Sequence, residues 1–235
     1  VAGNRILIVV PTYNERDNIE ELFEGVRTHV PSAEVLVVDD GSPDGTGAFA
    51  TQLGHKMGGV RVLQRGRRLG IGSAYVEGFR AGLADGYDRL CSMDADLSHE
   101  PRYLPALIEA TAHADVAVGS RYLHGVSVLN WSLKRLALSV SANTYVRWVT
   151  SLPVRDCTSG FQCFRREALE AIDVSRLRFS GYSFLVEIKY RAHRAGCKLQ
   201  EVPIVFADRR FGVTKMNRRE IFRSLWAVWA IRFSR

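Results

Sequence analysis

With 235 residues and 46% apolar content, the chain can bury one sizeable core, alone or with an appendage, without disulfide or metal staples. Its four cysteines (Cys91, Cys157, Cys163, Cys197) form no C-x-x-C pair, which argues against a zinc site or a disulfide framework and for reduced thiols in a cytosolic protein. The formal net charge of +7 is unevenly placed: positions 205–235 hold eight Lys/Arg against two Asp/Glu, a local +6, so an anionic partner is expected, whether a membrane surface, a nucleic acid or a phosphorylated substrate.

The opening "VAGNRILIVVP" is a strand's apolar run closed by Pro11, not a signal peptide. Without an initiating Met, and ending at Arg235, the chain reads as a trimmed fragment. "RILIVV" (5–10) predicts a buried strand and "NIEELFEGVRTHV" (18–30) a helix. "AEVLVVDDGS" (33–42) is a second strand ending in carboxylates, followed by a helix over 44–54 closed by Gly54. "VRVLQR" (60–65) is a third strand and 71–86 a third helix. "RLCSM" (89–93) is a fourth strand, then come a helix from Pro101 to His113 and a strand over 115–121. Such alternation predicts an α/β domain with a mostly parallel sheet flanked by helices, whose ligands bind at the carboxyl ends of the strands. Asp39, Asp40, Asp94, Asp96 and Arg121 all fall there.

Beyond Arg121 the pattern weakens. Residues 128–152 read as an apolar, aromatic helix carrying Lys134, Arg135 and Arg147. A strand and helix follow over 157–172, a helix over 181–196 and a strand over 198–209. The longest apolar run near the end is seven residues (225–231), against the ~20 a membrane-spanning helix needs. In 218–235, Phe222, Leu225, Trp226, Trp229 and Phe233 share a face flanked by arginines, as in a basic helix lying in a bilayer interface. Ala227, Val228 and Ile231 broaden that face enough for a helix packed on the domain instead.

Three clusters carry chemistry. In "MDADLSH", Asp94 and Asp96 stand at i and i+2 where a strand leaves the core, a spacing that can hold Mg²⁺ or Mn²⁺ completed by phosphate and water oxygens. Solvated aspartates at strand ends are common, so the pair alone does not decide. Ser98 offers a further oxygen, and His99 suits a capping or surface role better than a ligand role. In "VVDDGSPDGTG", Asp39 and Asp40 can accept from ribose hydroxyls or a base edge, while Ser42 and Asp44 make the turn. "PTYNERDN" offers the Tyr13 ring for stacking and Glu15 as an acceptor. In "VFADRRFGVTKMN", Arg209, Arg210 and Lys215 surround Gly212, a composition suited to a loop closing on phosphates. No G-x-G-x-x-G follows the first strand and no G-x-x-x-x-G-K-[ST] exists, which counts against a nicotinamide dehydrogenase and a P-loop enzyme.

Together "VVPTYNERDNI", "VVDDGSPDGTG", "RLGIGSAYVEGF", "MDADLSHEP", "VGSRY", "TSGFQCFRR", "GYSFLVEI" and "EVPIVFADRRFGVTKM", in that order, resemble glycosyltransferase family 2 with its GT-A fold. The resemblance is to the dolichol-phosphate (polyprenol-phosphate) mannose synthases, in the type without C-terminal membrane helices. It implies the donor GDP-mannose, the acceptor dolichyl or polyprenyl phosphate, a Mg²⁺ or Mn²⁺ ion, and inversion at the anomeric carbon. Pro11, Tyr13, Glu15, Val38 and Asp40 match nucleotide-holding positions. Met93, Asp94, Ala95 and Asp96 match positions lining the sugar diphosphate, with Asp94, Asp96 and Ser98 at the metal. Arg209 and Lys215 match the closing loop, and Arg121 and Arg135 the acceptor phosphate, with Asp94, Asp96 and Arg121 as the catalytic set. Residues 1–217 then form one catalytic domain with an acceptor-side, membrane-proximal segment over 122–152, and 218–235 an amphipathic helix. The expected location is the cytoplasmic face of a membrane, with a separate membrane subunit or a fused membrane domain as anchor. The competing expectations are another donor, such as UDP-glucose, on the same lipid, or a binding module without turnover. A nucleic-acid partner is disfavoured, because the interior carboxylates repel a phosphate backbone unless a metal intervenes.

Overall fold

Alternate residues of the first strand face two different layers of apolar side chains. The computed structural model of the chain, which describes residues 5–207 and 218–234 (side chains of the last helix from Leu225 onward), makes that strand β1 (Ile6–Thr12). Ile6, Ile8 and Val10 pack with Ile19, Leu22, Phe23 and Val26 of α1 (Arg16–His29). Leu7 and Val9 pack on the opposite side with Tyr75 and Phe79 of α3 (Ile71–Ala84). A strand covered on both faces reads as a continuous apolar run, which is why 5–10 shows no alternation.

The remaining elements follow in chain order. β2 (Ala33–Asp39), α2 (Thr46–Met57), β3 (Val60–Gln64), α3 and β4 (Arg89–Ser92) complete the first half. α4 (Leu104–Ala110), β5 (Val116–Ser120), β6 (Val128–Leu129) and α5 (Leu133–Thr150) come next. β7 (Gln162–Arg165), α6 (Arg166–Ile172), α7 (Tyr182–Arg194), β8 (Leu199–Pro203), β9 (Phe206–Ala207) and α8 (Arg218–Phe233) close the chain. The main sheet runs β3–β2–β1–β4–β7–β5–β8. β1 is parallel to both β2 and β4, in register Thr12↔Asp39 and Val9↔Ser92, so the loops after these strands open at one sheet edge. β6 and β9 form a separate two-stranded ladder, pairing Val128 with Phe206.

A third apolar cluster joins Val146 and Val149 of α5, Val186 and Tyr190 of α7, and Val228 and Ile231 of α8. The last helix is thus packed on the domain through Val228 and Ile231, while Trp226 (80% exposed) and Phe233 (74%) stay outside. The expectation of a helix packed on the domain holds for one face; the other face carries exposed rings.

Several boundaries and one strand direction differ from the sequence reading. The strand expected over 198–209 divides, among the described residues, into β8 in the main sheet and β9 in the small ladder. α2 does not close at Gly54 but runs on to Met57 and ends at Gly58, whose φ of +72° is left-handed. Gly54 is needed for close approach, since a Cβ there would lie 2.7 Å from the Val60 carbonyl oxygen. The helix expected over 101–113 is a 3₁₀ turn (Pro101–Tyr103) followed by the shorter α4. The segment expected as one helix over 128–152 begins with β6 and a turn, and α5 starts only after Ser132, whose hydroxyl caps it by accepting from the Arg135 backbone N–H at 3.3 Å. Finally, β7 pairs antiparallel with both β4 and β5, inserting one reversed strand into a sheet whose other pairings are parallel.

Candidate active site

The loops after β1, β2 and β3 are bound to one another by short side chains. Asp39 accepts from the Thr12 hydroxyl (2.8 Å) and from the Ser42 backbone N–H (3.0 Å) and hydroxyl (2.5 Å). Asp44 accepts from the Arg16 N–H at 3.2 Å and caps Thr46. Asp40 accepts from the backbone N–H groups of Leu69 (3.1 Å) and Gly70 (2.8 Å) and pairs with buried Arg65 at 2.9 Å. Asp39, expected on a ligand, is instead turn framework. Asp40 fixes the 65–70 loop beside the place expected for the nucleotide. Tyr13 lies under the Arg68 guanidinium, 4.3 Å from its ring centroid, and Glu15 accepts from Asn18 Nδ2 at 2.8 Å. Pro11 sits within β1 opposite Val38. The side chains of Val38 and Met93 are fully buried and that of Ala95 nearly so, which leaves these three positions their backbones for any ligand contact.

At the end of β4 the chain turns sharply. Leu97 takes φ +60°, a conformation uncommon for a non-glycine residue and found where surrounding bonds enforce it. Ser98 supplies two of those bonds, donating its N–H (3.1 Å) and hydroxyl (2.5 Å) to Asp96 Oδ1. Buried His99 supplies a third, its Nδ1 accepting from the Asp94 backbone N–H at 3.0 Å while its ring stacks on Phe161 at 4.9 Å. His99 therefore takes the capping role of the two expected of it and is not at the surface. Tyr75, buried in α3, donates its hydroxyl to Asp94 Oδ1 at 2.9 Å. Burial, and then the Asp94 charge, push the Tyr75 phenol well above its ordinary range, so it stays a donor. Both carboxylates are aimed by neighbours rather than left to rotate.

Arg121, at the end of β5, is the centre of the cationic half. Its Nε and Nη2 donate to Asp156 at 2.7 and 2.6 Å, its backbone N–H donates to the same carboxylate at 3.0 Å, and Nη2 also reaches the Thr158 hydroxyl at 2.8 Å. Asp156 is fully buried. Burial pushes its carboxyl up, but the charge and hydrogen bonds of Arg121 outweigh that and hold it below the usual carboxylate range. Three rings surround the guanidinium: Tyr122 at 5.3 Å, Phe206 at 5.4 Å and Trp131 at 5.5 Å. The β6–β9 ladder brings the last two together, edge to face at 5.6 Å. Arg135, one helical turn into α5, stacks on Trp131 at 4.1 Å. Beneath the 156–160 segment, buried Lys189 donates to the carbonyls of Cys157 (3.1 Å), Ser159 (2.7 Å) and Leu185 (2.9 Å).

The two halves share one cavity of about 530 Å³, lined by Asp94, Asp96 and Ser98 at one end and by Arg121, Lys134 and Arg135 on the cationic side. Its apolar walls come from α5 (Leu138, Val146), α7 (Leu185, Val186) and α8 (Leu225, Val228). Of the expected site residues, the cavity thus gathers Asp94, Asp96, Ser98, Arg121 and Arg135, while the nucleotide positions lie along the neighbouring sheet edge. Arg209 and Lys215 lie outside the described residues. Tyr75, Trp131, Asp156, Thr158 and Lys189 were not expected in functional roles; "GSAY" and "DCTSG" stood inside matched motifs or beside them, but nothing local marked their partners. Among the described residues no three His, Cys, Asp or Glu side chains gather into a cage. Two oriented carboxylates do fit a hard divalent cation whose shell substrate phosphates complete. Ser98 stands as support for Asp96, its hydroxyl proton already donated there.

The family model for glycosyl transferase family 2 matches residues 7–173. The chain is 44% identical over 232 residues to a polyprenol monophosphomannose synthase of Mycolicibacterium smegmatis, covering 97% of this chain and 88% of that protein. It is 42% identical to an undecaprenyl-phosphate mannosyltransferase of Micrococcus luteus (91% and 88% covered) and 35% identical to a dolichol-phosphate mannosyltransferase of Pyrococcus furiosus (97% and 63%). Among solved structures, glucosyl-3-phosphoglycerate synthase of Mycobacterium tuberculosis, in complex with Mn²⁺, UDP and glucosyl-3-phosphoglycerate, superposes with a TM-score of 0.70 at 21% identity, over 98% of this chain and 79% of that one. That likeness establishes a GT-A-like fold. The chain belongs to glycosyl transferase family 2, in its branch of polyprenyl-phosphate mannose synthases.

Proposed function

We propose that the protein transfers mannose from GDP-mannose to a polyprenyl or dolichyl phosphate, with inversion, at a membrane surface. One observation carries the reading: a single cavity joins an oriented aspartate pair, two arginines and apolar walls on three helices. An acceptor with a phosphate head and a hydrocarbon tail is the ligand that needs the second and third of these together. The names of the sequence relatives, each a mannosyltransferase or mannose synthase of a polyprenol or dolichol lipid, support the acceptor class and the sugar. The guanosine nucleotide and the inversion rest on family resemblance.

In the reaction, an acceptor phosphate oxygen forms a bond to the anomeric carbon as the bond to the β-phosphate breaks, and GDP leaves with the electron pair. A phosphate monoester has its second pKa near ~6, so at neutral pH it attacks without a strong general base. Arg121 holds it, rigid because Asp156 and three rings fix the guanidinium. A Mg²⁺ or Mn²⁺ ion on Asp94 and Asp96 would neutralise the diphosphate. Asp94 is aimed by Tyr75 and His99, Asp96 by Ser98.

The same helices that wall the cavity carry exposed aromatic rings. Trp148 of α5 (73% exposed) meets Trp229 of α8 edge to face, and Trp229 stacks on Phe233. Interfacial tryptophans beside arginines suit a bilayer surface, from which the lipid tail would reach the apolar walls. No described helix is long and apolar enough to cross a membrane, so a separate membrane subunit or fused domain would complete the anchoring.

The test is transfer of labelled mannose into polyprenyl phosphate by single variants. Asp96→Asn should lower turnover by about 10²-fold or more, the scale on which removing a group that stabilises leaving charge acts. Arg135→Ala should raise the acceptor KM and leave the donor KM in place. Wild-type rates in both variants would sink the assignment of this cavity.

A further inference from the structure

Trp131 has a polar atom with nothing to do. Its indole Nε1 is shielded from solvent and has no hydrogen-bond partner among the described residues. Buried Trp N–H groups nearly always find an acceptor, so one without a partner in the ligand-free protein calls for an explanation. The indole is a donor only and cannot be satisfied by the arginines around it. The ring lines the cavity and stands within cation–π reach of both Arg121 and Arg135, at 5.5 and 4.1 Å. Phe206, edge-on at 5.6 Å, limits its rotation. Lys134, three residues on, lines the same cavity.

The indole N–H is thus a donor without an acceptor, set between two guanidiniums in a cavity wall. A ligand that brings an oxygen with negative charge would satisfy it. We propose that Trp131 binds the acceptor directly: its indole N–H donates to an oxygen of a lipid phosphate monoester held by Arg121 and Arg135. This rests on the reading of the cavity as the acceptor site. The ring does two jobs, holding two like-charged guanidiniums in place on its faces or edge and supplying a neutral donor of fixed direction. A polyprenol without its phosphate offers one hydroxyl oxygen to this group of donors and cannot satisfy them. Trp131 therefore discriminates for the phosphorylated lipid.

The test separates the N–H from the ring. In the full chain, position 131 is replaced by β-(3-benzothienyl)alanine, which keeps the bicyclic shape and puts sulfur where the N–H was, and in parallel by Trp131→Phe. Steady-state constants are measured for a short-chain polyprenyl phosphate in detergent and for the nucleotide sugar, with Arg135→Ala alongside. We expect the benzothienyl variant to raise the acceptor KM about tenfold while the donor KM stays within about twofold, a tenfold change being the scale of one lost hydrogen bond to a charged group. An unchanged acceptor KM in the benzothienyl variant, with Arg135→Ala impaired, overturns the role of Trp131 and leaves the acceptor site standing. A rise in Trp131→Phe alone assigns the effect to stacking and equally overturns the hydrogen bond. Unchanged acceptor constants in all three variants remove the acceptor site itself.

Discussion

Lys189 shows how far a single buried residue can reach into this site. Burial, the largest influence, lowers its ammonium from the ordinary 10.5 to about 8; nearby Asp156 and Glu201 pull it up, and Arg121 pushes it down. The Cys157 thiol is itself pushed up to about 12 by burial and does not compete in that range. Charged, Lys189 has three N–H donors for three carbonyls; neutral, it has two. The two carbonyls of 157–159 flank Thr158, which accepts from Arg121, so losing a donor would loosen the arginine proposed to hold the acceptor. The sign for stability is the opposite. Between about 8 and 10.5 the folded chain has lost a proton that the unfolded chain keeps, so this residue makes folding more favourable as pH rises. We therefore expect the acceptor KM to climb as pH passes about 8 with no drop in thermal midpoint from this group, and Lys189→Met to flatten that limb. The acceptor's own second ionisation, near ~6, is complete by then. An alkaline limb identical in Lys189→Met would contradict this.

Individual carboxylates were legible and their partners were not. Asp94, Asp96 and Arg121 stand at strand ends, where an apolar run stopping at a charge marks the sheet edge in any α/β sequence. Asp156, 35 residues from Arg121, and Tyr75, 19 residues from Asp94, are joined to them only by folding. Asp39 was misread for the same reason: its proximity to Asp40 was visible, but its bonds to Thr12 and Ser42 were not.

At the scale of elements, the apolar runs located every strand of the first half, but not the direction of β7. A four-residue strand, buried on both faces, has no pattern that tells antiparallel from parallel pairing. The glycines of α3 serve close packing: a Cβ at Gly78 would lie 2.3 Å from Val9 Cγ1, and one at Gly82 2.5 Å from Leu90 Cδ2. For α8, helical spacing gave a core face, which the fold uses, and an outer face whose rings stay exposed. Deleting the helix would therefore remove Val228 and Ile231 from a shared core as well as the outer rings. A cleaner test of membrane docking is Trp226→Ser with Phe233→Ser, both at exposed positions. Each ring offers roughly 1.5–3 kcal/mol of apolar burial, so binding to anionic vesicles should fall about tenfold or more, with the melting temperature unchanged. Vesicle binding equal to wild type in a sedimentation assay would exclude α8 as the docking element.

For the whole molecule, the arrangement is a division of labour along one sheet edge. Loops after β1, β2 and β3 form a tightly bonded frame on the proposed nucleotide side. The end of β4 presents the aspartate pair, and the end of β5 with α5, α7 and α8 presents cations backed by apolar walls. The net charge of +7 is concentrated toward the end of the chain, a balance that favours an anionic partner. The most direct test of mannosyl transfer to a lipid phosphate is a panel of labelled sugar nucleotides, including GDP-mannose and UDP-glucose, incubated with polyprenyl phosphate with and without chelator. The account predicts label in the lipid phase from GDP-mannose, abolished by the chelator and restored by Mg²⁺ or Mn²⁺. Label from UDP-glucose instead, or transfer from GDP-mannose that survives full chelation, would contradict it.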